Sequence, residues 1–271
     1  MNDEDLDVVV EHNRPAAAMW SAGGDHYDAI SFGIADALRH AAQRLSAKQG
    51  DEVLDVATGT GWTARLVARS GARVTGVDIA PELIAAARHR SAHVIPRIEY
   101  RLADAERLPF AAGNFDRVVS TFGVMFAGDH DSAARELARV CRSGGRLCLA
   151  TWTPDGAIAR FFALLASHRR EPSPAASPLL WGDPDYVERL LGREFALRFE
   201  HGVSNAYYDG ADELWDTFVR GFGPLRVLHE RLDESGRRRL KADVDAYHEE
   251  YRTHVGLHVR REYLITVGER R

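Results

Sequence analysis

The stretch that decides the fold is Val53-Leu54-Asp55-Val56-Ala57-Thr58-Gly59-Thr60-Gly61. A short apolar, β-branched run leads directly into two glycines, and a helical pattern at 62–70 follows them. This order is typical of a buried strand that ends in a tight turn and passes into a helix. In a doubly wound sheet, such turns lie where cofactors bind. Glycine lets the backbone approach a ligand there, and the N–H groups at the start of the helix can donate to it.

The same alternation continues along the chain as far as residue 152. Further strands are predicted at 73–78, 98–102, 115–121 and 146–152, and helices at 81–90 and 132–140. Short strands that alternate with helices indicate parallel strands joined by crossover helices. We therefore predict an α/β fold with a doubly wound, mostly parallel, Rossmann-like sheet.

The pattern changes after residue 152, where helices dominate. They are predicted at 157–169, 183–191, 211–220 and 232–251, with a proline-rich loop at 171–178. Strands at 195–203 and 262–267 bring the predicted sheet to seven strands. The predicted organisation is a disordered N-terminus at 1–15, a helical segment over the cofactor site at 16–50, a cofactor-binding core at 51–152, a helical substrate lid at 153–261, and the last strand of the core sheet at 262–271.

The composition narrows the classes of function. The chain has 271 residues, of which 45% are hydrophobic, enough to bury a sizeable core. Its net charge of -5 lacks the basic excess that phosphate binding needs, so we expect no nucleic-acid partner. No apolar run approaches the ~18 residues of a membrane span. Cys141 and Cys148 lie at no metal-ligand spacing, so we expect no metal and a reducing, cytoplasmic location.

Three carboxylates stand at the ends of the first three predicted strands. Asp55 belongs to the first, Asp78 closes the second, and Asp104 follows the third. A carboxylate at Asp78, about twenty residues beyond the glycines, can accept hydrogen bonds from both hydroxyls of a ribose. One at Asp104 can accept from an exocyclic adenine amino group. Each alone is also typical of a turn or a helix N-cap, but together they predict a nucleoside site.

The order and spacing of these motifs resemble class I S-adenosylmethionine-dependent methyltransferases, especially the ubiquinone/menaquinone-biosynthesis-like group. The resemblance is strongest over 51–152 and is carried by 53–61, 77–83, 104–110 and 114–120. It implies S-adenosylmethionine as the cofactor and S-adenosylhomocysteine as the product. The residues that it implies for cofactor binding are Asp55, Ala57, Thr58, Gly59, Gly61, Asp78, Ile79, Asp104, Ala105, Thr121 and Phe122.

The resemblance also implies a place for each part of the cofactor. The methionine part would pass over Gly59 and Gly61, with its amino group near Asp55. The ribose would lie at Asp78, and the adenine between Ile79 and the edge formed by Asp104 and Ala105. Thr121 and Phe122 would line the cofactor near the acceptor. Ala57 departs from the family, in which many members have glycine, and we expect an extended backbone that tolerates its methyl group.

The implied reaction is methyl transfer to a small organic molecule, at oxygen or carbon rather than nitrogen. Positioning is the main contribution of the protein, because the sulfonium methyl is already activated. Methylation at oxygen or carbon also removes a proton, for which His26, Tyr27 and His130 are the candidate bases. The pattern around His130 is more often that of a helix-start histidine, and a surface loop explains His26 and Tyr27 equally well.

The predicted acceptor is apolar or aromatic. It would be held by Met125 and Phe126, in the loop after the fourth strand, and by the lid residues Trp181, Phe218 and Phe222. Pockets for small ligands are mostly apolar with a few placed polar groups. The alternative for these aromatic residues is the core of a small helical layer.

Two other functions fit parts of the sequence. The turn and Asp78 also match the relaxed fingerprint of an NAD(P)-dependent oxidoreductase. Two features argue against an oxidoreductase. Trp62 places an indole beside the second glycine, where a pyrophosphate needs an unobstructed helix N-terminus, and no Tyr-x-x-x-Lys pair is present to donate a proton to a carbonyl. A non-catalytic S-adenosylmethionine-binding protein is the other alternative.

Overall fold

The computed structural model describes residues 8–169 and 176–271. The helices are α1 Arg14–Ser21, α2 Tyr27–Phe32, α3 Ala35–Leu45, α4 Trp62–Ala68, α5 Pro81–Arg90, α6 His130–Val140, α7 Ala157–Ser167, α8 Pro184–Leu191, α9 Ala211–Gly221, α10 Gly223–Arg231 and α11 Glu234–Glu249. The strands are β1 Glu52–Val56, β2 Arg73–Asp78, β3 Glu99–Leu102, β4 Phe115–Thr121, β5 Cys141–Trp152, β6 Phe195–Tyr208, β7 Arg252–Thr253 and β8 Gly256–Arg270.

One sheet organises the described residues. Its order is β3-β2-β1-β4-β5-β8-β6, and the two-residue β7 pairs with β8 beside this path. Strands β1 to β5 run parallel, whereas β8 is antiparallel to both β5 and β6. The predicted doubly wound, mostly parallel sheet is therefore confirmed. The strand order reverses between β1 and β4, and ligands of such sheets bind in the crevice at that point.

The central strands form because their side chains are buried on both faces. Val53, Leu54, Val118 and Val119 are all fully buried, as expected for parallel strands covered by helices. Helix α5 begins where the sequence predicts, with Pro81 in its first turn. Helix α6 begins at His130, two residues before its predicted start, because the Asp129 carboxylate caps it through the Ser132 N–H at 3.1 Å.

The N-terminus differs from the prediction. Residues 1–7 lie outside the described residues, but residues 8–15 are structured: Val9 is buried, Glu11–Asn13 form a 3-10 turn, and α1 begins at Arg14. An acidic composition alone predicts disorder, but buried partners elsewhere in the chain hold this segment in place. The proline-rich stretch falls mostly outside the described residues, and a 3-10 turn begins at Pro178.

The C-terminal helices form a second core together with the N-terminal segment. Helix α10 was not predicted, and the helix predicted at 232–251 begins at 234, where Asp233 caps the Gly236 N–H at 2.7 Å. Helices α7, α9, α10 and α11 share a buried apolar cluster with Trp20 of α1. The segment predicted as a lid and the N-terminal helices therefore pack as one layer.

Candidate active site

A cleft of about 860 Å³ opens at the carboxyl ends of β1, β2 and β4, at the point where the strand order reverses. This figure includes space that is open to solvent. The lining residues come from the glycine turn, the ends of the strands and the N-terminal helices. They are Asn13, Trp20, Tyr27, Ser31, Ile34, Leu38, Ala57, Thr58, Gly59, Trp62, Thr63, Asp78, Ile79, Leu83, Ala103, Asp104, Ala105, Thr121, Phe122, Gly123, Val124, Phe126 and Ala127.

The glycine turn owes its shape to positive φ angles. Gly59 has φ +56° and Gly61 has φ +81°, a region that glycine adopts without a steric cost. A Cβ at Gly61 would collide with the hydroxyl of Tyr100, so this glycine serves the packing of the turn and does not line the cleft. The expectation of an extended backbone at Ala57 is wrong, because its φ is +56°. A left-handed alanine stores about 1 kcal/mol of strain.

Asp78 connects the end of β2 to the glycine turn. It accepts hydrogen bonds from the Gly59 N–H at 2.8 Å and the Ala80 N–H at 3.0 Å. It lines the cleft although it is only 6% exposed, and burial raises its pKa to about 6. A buried carboxylate at this position gains from any ligand that supplies further donors, as the two hydroxyls of a ribose do.

Asp55 lies behind the turn and does not line the cleft. It is fully buried, and one of its oxygens accepts from the Thr58 hydroxyl at 2.6 Å. Burial raises the pKa of this carboxyl to about 7, and the nearby charge of Asp78 contributes in the same direction.

Asp104 lines the cleft, and its carboxylate already accepts hydrogen bonds from the N-terminal segment. Its oxygens accept from the Val10 N–H at 3.0 Å, the Asn13 side-chain amide at 3.0 and 3.2 Å, and the Glu106 N–H at 2.9 Å. The Asn13 oxygen in turn accepts from the Gly128 N–H at 3.2 Å. Sequence reasoning missed Asn13, because its partners lie more than ninety residues away and no local pattern points to them.

The three candidate bases have different surroundings. Tyr27 lies over Gly59 and lines the cleft, and burial followed by the charge of Asp78 raises the pKa of its phenol above the ordinary value. His26 is exposed and does not line the cleft. His130 is buried against Trp181, and its Nδ1 lies 2.8 Å from the Tyr186 hydroxyl. Because the Asp129 cap starts α6 at His130, the His130 ring does not line the cleft. We therefore do not propose His130 as a base.

Part of the cleft lining is apolar. The rings of Trp20 and Phe126 form a wall in which they meet edge to face at 4.9 Å, and Ile34 and Leu38 also line the cleft. Phe122 stacks on Trp152 with ring centroids 3.9 Å apart. Its φ is +57°, a strained conformation for a bulky residue that is typical of functional sites.

The residues predicted to hold the acceptor are mostly elsewhere. Phe126 lines the cleft, whereas Met125 and Trp181 are fully buried in the main core. Phe222 packs behind Trp20 with ring centroids 5.9 Å apart, and Phe218 lines a separate, smaller cavity. Much of the aromatic enrichment after residue 157 therefore belongs to the core of the helical layer, the alternative that the sequence left open.

Within 8–169 and 176–271, no group of three or more His, Cys, Asp or Glu residues is placed to hold a metal ion. Over the same ranges, none of the helices combines the length and apolar character that crossing a membrane requires.

Comparisons with known proteins agree with this geometry. A family model described as a methyltransferase domain matches residues 54–149. An uncharacterized protein of Mycobacterium tuberculosis is 38% identical over 232 residues, which cover 83% of this chain and 84% of that protein. The demethylmenaquinone methyltransferase of Tropheryma whipplei is 33% identical over 194 residues, 68% of this chain and 79% of the relative. A putative methyltransferase structure from Bacillus halodurans has a TM-score of 0.60 at 21% identity, covers 86% of this chain and 97% of its own, and shares the fold.

Proposed function

Because the chain belongs to the class I S-adenosylmethionine-dependent methyltransferases, and to their ubiquinone/menaquinone-biosynthesis-like group, we propose that it methylates a small, largely apolar or aromatic organic molecule at oxygen or carbon. S-adenosylmethionine supplies an activated methyl group, so binding and alignment are what the protein must provide. Membership of this family also disfavours the NAD(P)-dependent oxidoreductase and the non-catalytic binding protein.

The observation that carries the proposal is the mixed lining of the cleft. Asp78 and Asp104 supply carboxylates, and Trp20, Phe122 and Phe126 supply aromatic rings. A polar nucleoside and an apolar acceptor match these two kinds of side chain. The relatives named demethylmenaquinone methyltransferases act, by that name, on demethylmenaquinone, which supports an acceptor with an aromatic ring.

We assign the cofactor residues by their places around the cleft. Asp78 would accept from the ribose hydroxyls while it keeps the Gly59 N–H. Ile79 and Ala105 would contact the adenine, beside Asp104. Asp55 would act from behind the turn, as a negative charge that favours the cationic methionine end of the cofactor.

We propose that Tyr27 is not the general base that the sequence suggested. Its phenol stays protonated because burial and the charge of Asp78 both raise its pKa. A neutral phenol can donate a hydrogen bond but is a poor general base at neutral pH. We therefore propose that Tyr27 covers and orients the reactants rather than removing a proton.

The proposal is tested by incubating the enzyme with S-adenosylmethionine and single acceptors, and measuring S-adenosylhomocysteine. The panel contains 2-naphthol and 1,4-naphthalenediol as aromatic acceptors, with glycine as a polar amine. Product should form with at least one aromatic compound and not with glycine. Turnover of glycine alone would contradict an aromatic acceptor, and no product with any compound despite tight cofactor binding would contradict this acceptor class.

A further inference from the structure

Asp28 is a charged junction between the N-terminal segment and the glycine turn. Its Oδ1 accepts from the Thr60 hydroxyl at 3.0 Å and from the indole N–H of Trp62 at 2.8 Å. The Arg65 guanidinium lies 3.5 Å from the same oxygen, and that of Arg90 lies 3.0 Å from Oδ2. One side chain of α2 therefore contacts the turn, α4 and α5.

The partners of Asp28 are themselves held around it. The Arg65 guanidinium donates to the Thr60 carbonyl at 2.6 Å and lies over the Trp62 ring at 5.3 Å from its centroid. The Asp28 side chain is only 17% exposed, so these charge-assisted contacts are screened less than those of a surface pair. The arrangement also explains the tryptophan beside the second glycine: its indole nitrogen anchors the segment that passes over the turn.

Next to Asp28 in the chain, Tyr27 covers the glycine turn. A Cβ added at Gly59 would lie only 3.3 Å from Cε1 of Tyr27, so the ring occupies the space beside this glycine. The two residues are neighbours in α2, so fixing the carboxylate also fixes the helix that carries the ring. The surface that Tyr27 covers is the one over which we place the methionine part of the cofactor.

We propose that Asp28 is a positioning residue that closes α2 over the glycine turn and thereby holds Tyr27 against the methionine end of bound S-adenosylmethionine. This inference rests on the proposed function of the cleft. It implies that the closed segment is part of the binding-competent state. A ligand binds more weakly, in proportion, when that state is only partly populated.

The first test compares Asp28→Asn with Asp25→Asn. Asp25 belongs to the same segment and also pairs with Arg90, at 2.8 Å, but no contact joins it to Thr60 or Trp62, and it is well exposed. Isothermal titration with S-adenosylhomocysteine should show a Kd raised about tenfold for Asp28→Asn, as expected if closure falls to about a tenth. The Asp25→Asn variant should change it less than about twofold.

Hydrogen exchange of the ligand-free proteins gives a readout that does not depend on the ligand. Amides of residues 27–33 should exchange faster in Asp28→Asn than in Asp25→Asn, while those of β1 and β4 stay unchanged. Faster exchange throughout the protein would instead indicate general destabilisation and would overturn a positioning role.

A second variant tests the inference if Asp28→Asn proves unstable. Trp62→Phe removes the indole N–H and leaves both arginine pairs of Asp28 in place; it should raise the Kd severalfold and speed exchange over 27–33. An affinity unchanged in every variant that folds would overturn the inference alone. Failure of the unmodified protein to bind S-adenosylhomocysteine would overturn the proposed function itself.

Discussion

Replacing Asp78 by asparagine should remove a pH-dependent part of the stability of the ligand-free protein and weaken its binding of S-adenosylhomocysteine. Burial raises the pKa of Asp78 from 3.8 to about 6, so the folded state holds this proton more tightly than the unfolded state. A raised carboxyl pKa contributes stability that is present below about pH 4 and is lost as the pH rises towards 6. At about 1.4 kcal/mol per pKa unit, the ionised carboxylate costs about 3 kcal/mol at pH 8.

The asparagine variant does not titrate, but its amide nitrogen cannot accept from one of the two N–H groups that the carboxylate binds. The lost hydrogen bond is a constant offset, whereas the cost of the ionised carboxylate depends on pH. Urea unfolding of the ligand-free proteins should show the unmodified protein losing about 2 kcal/mol of stability relative to the variant between pH 4.5 and pH 8. Titration with S-adenosylhomocysteine should show a loss of about 1.5–3 kcal/mol in binding, the scale of hydrogen bonds to a charged group. A stability difference that stays constant between pH 4.5 and pH 8 would refute the reasoning.

Three further predictions follow from the site. The Kd for S-adenosylhomocysteine should rise about tenfold between pH 8 and pH 5, because ligand donors favour the ionised forms of Asp78 and Asp55, whose pKa values are about 6 and about 7; a flat titration series would contradict this. Ala57→Gly should raise the free energy of unfolding in urea by about 0.5–1 kcal/mol, because glycine adopts the positive φ of this position without strain. A lower free energy of unfolding would show that Ala57 is not strained. Trp181→Ala should lower the free energy of unfolding by about 3–5 kcal/mol, whereas Phe126→Ala should chiefly raise the KM for the acceptor. If both variants raised this KM equally, the placement of the acceptor would be contradicted.

The fold between 51 and 152 could be predicted because its signals are local. Runs such as Val118-Val119 are apolar since both faces of a central parallel strand are covered, and a proline at the first turn of α5 marks the start of that helix. Each signal lies within a few residues of the element that it specifies. The predicted and observed bounds of β2, β4 and α5 coincide for this reason.

The contacts between the N-terminal segment and the rest of the cleft could not be predicted in the same way. Asn13 meets Asp104, and Asp28 meets Arg90, across large separations in sequence, so no periodicity reports these contacts. Pairing of individual polar side chains depends on the folded arrangement rather than on local pattern. Composition suggested disorder over residues 1–15, whereas in the described part of that range Val9 and Asn13 are buried.

Residue type also proved a weaker guide than position for the aromatic and histidine residues. Trp181 and Phe126 are both large apolar residues near the predicted acceptor site, yet one is fully buried in the core and the other lines the cleft. His130 follows the correct strand, but the cap at Asp129 determines where its ring lies. Helix capping and the packing of the layers determine which of these residues lines the cleft and which lies in the core.

A crystal structure of the protein with S-adenosylhomocysteine tests the assignment of the cleft most directly. We expect the ribose hydroxyl oxygens within about 3.2 Å of the Asp78 carboxylate, the methionine end over the glycine turn beneath Tyr27, and the sulfur facing the wall formed by Trp20 and Phe126. A ligand bound in this cleft with its ribose away from Asp78, or bound outside the cleft, would contradict it.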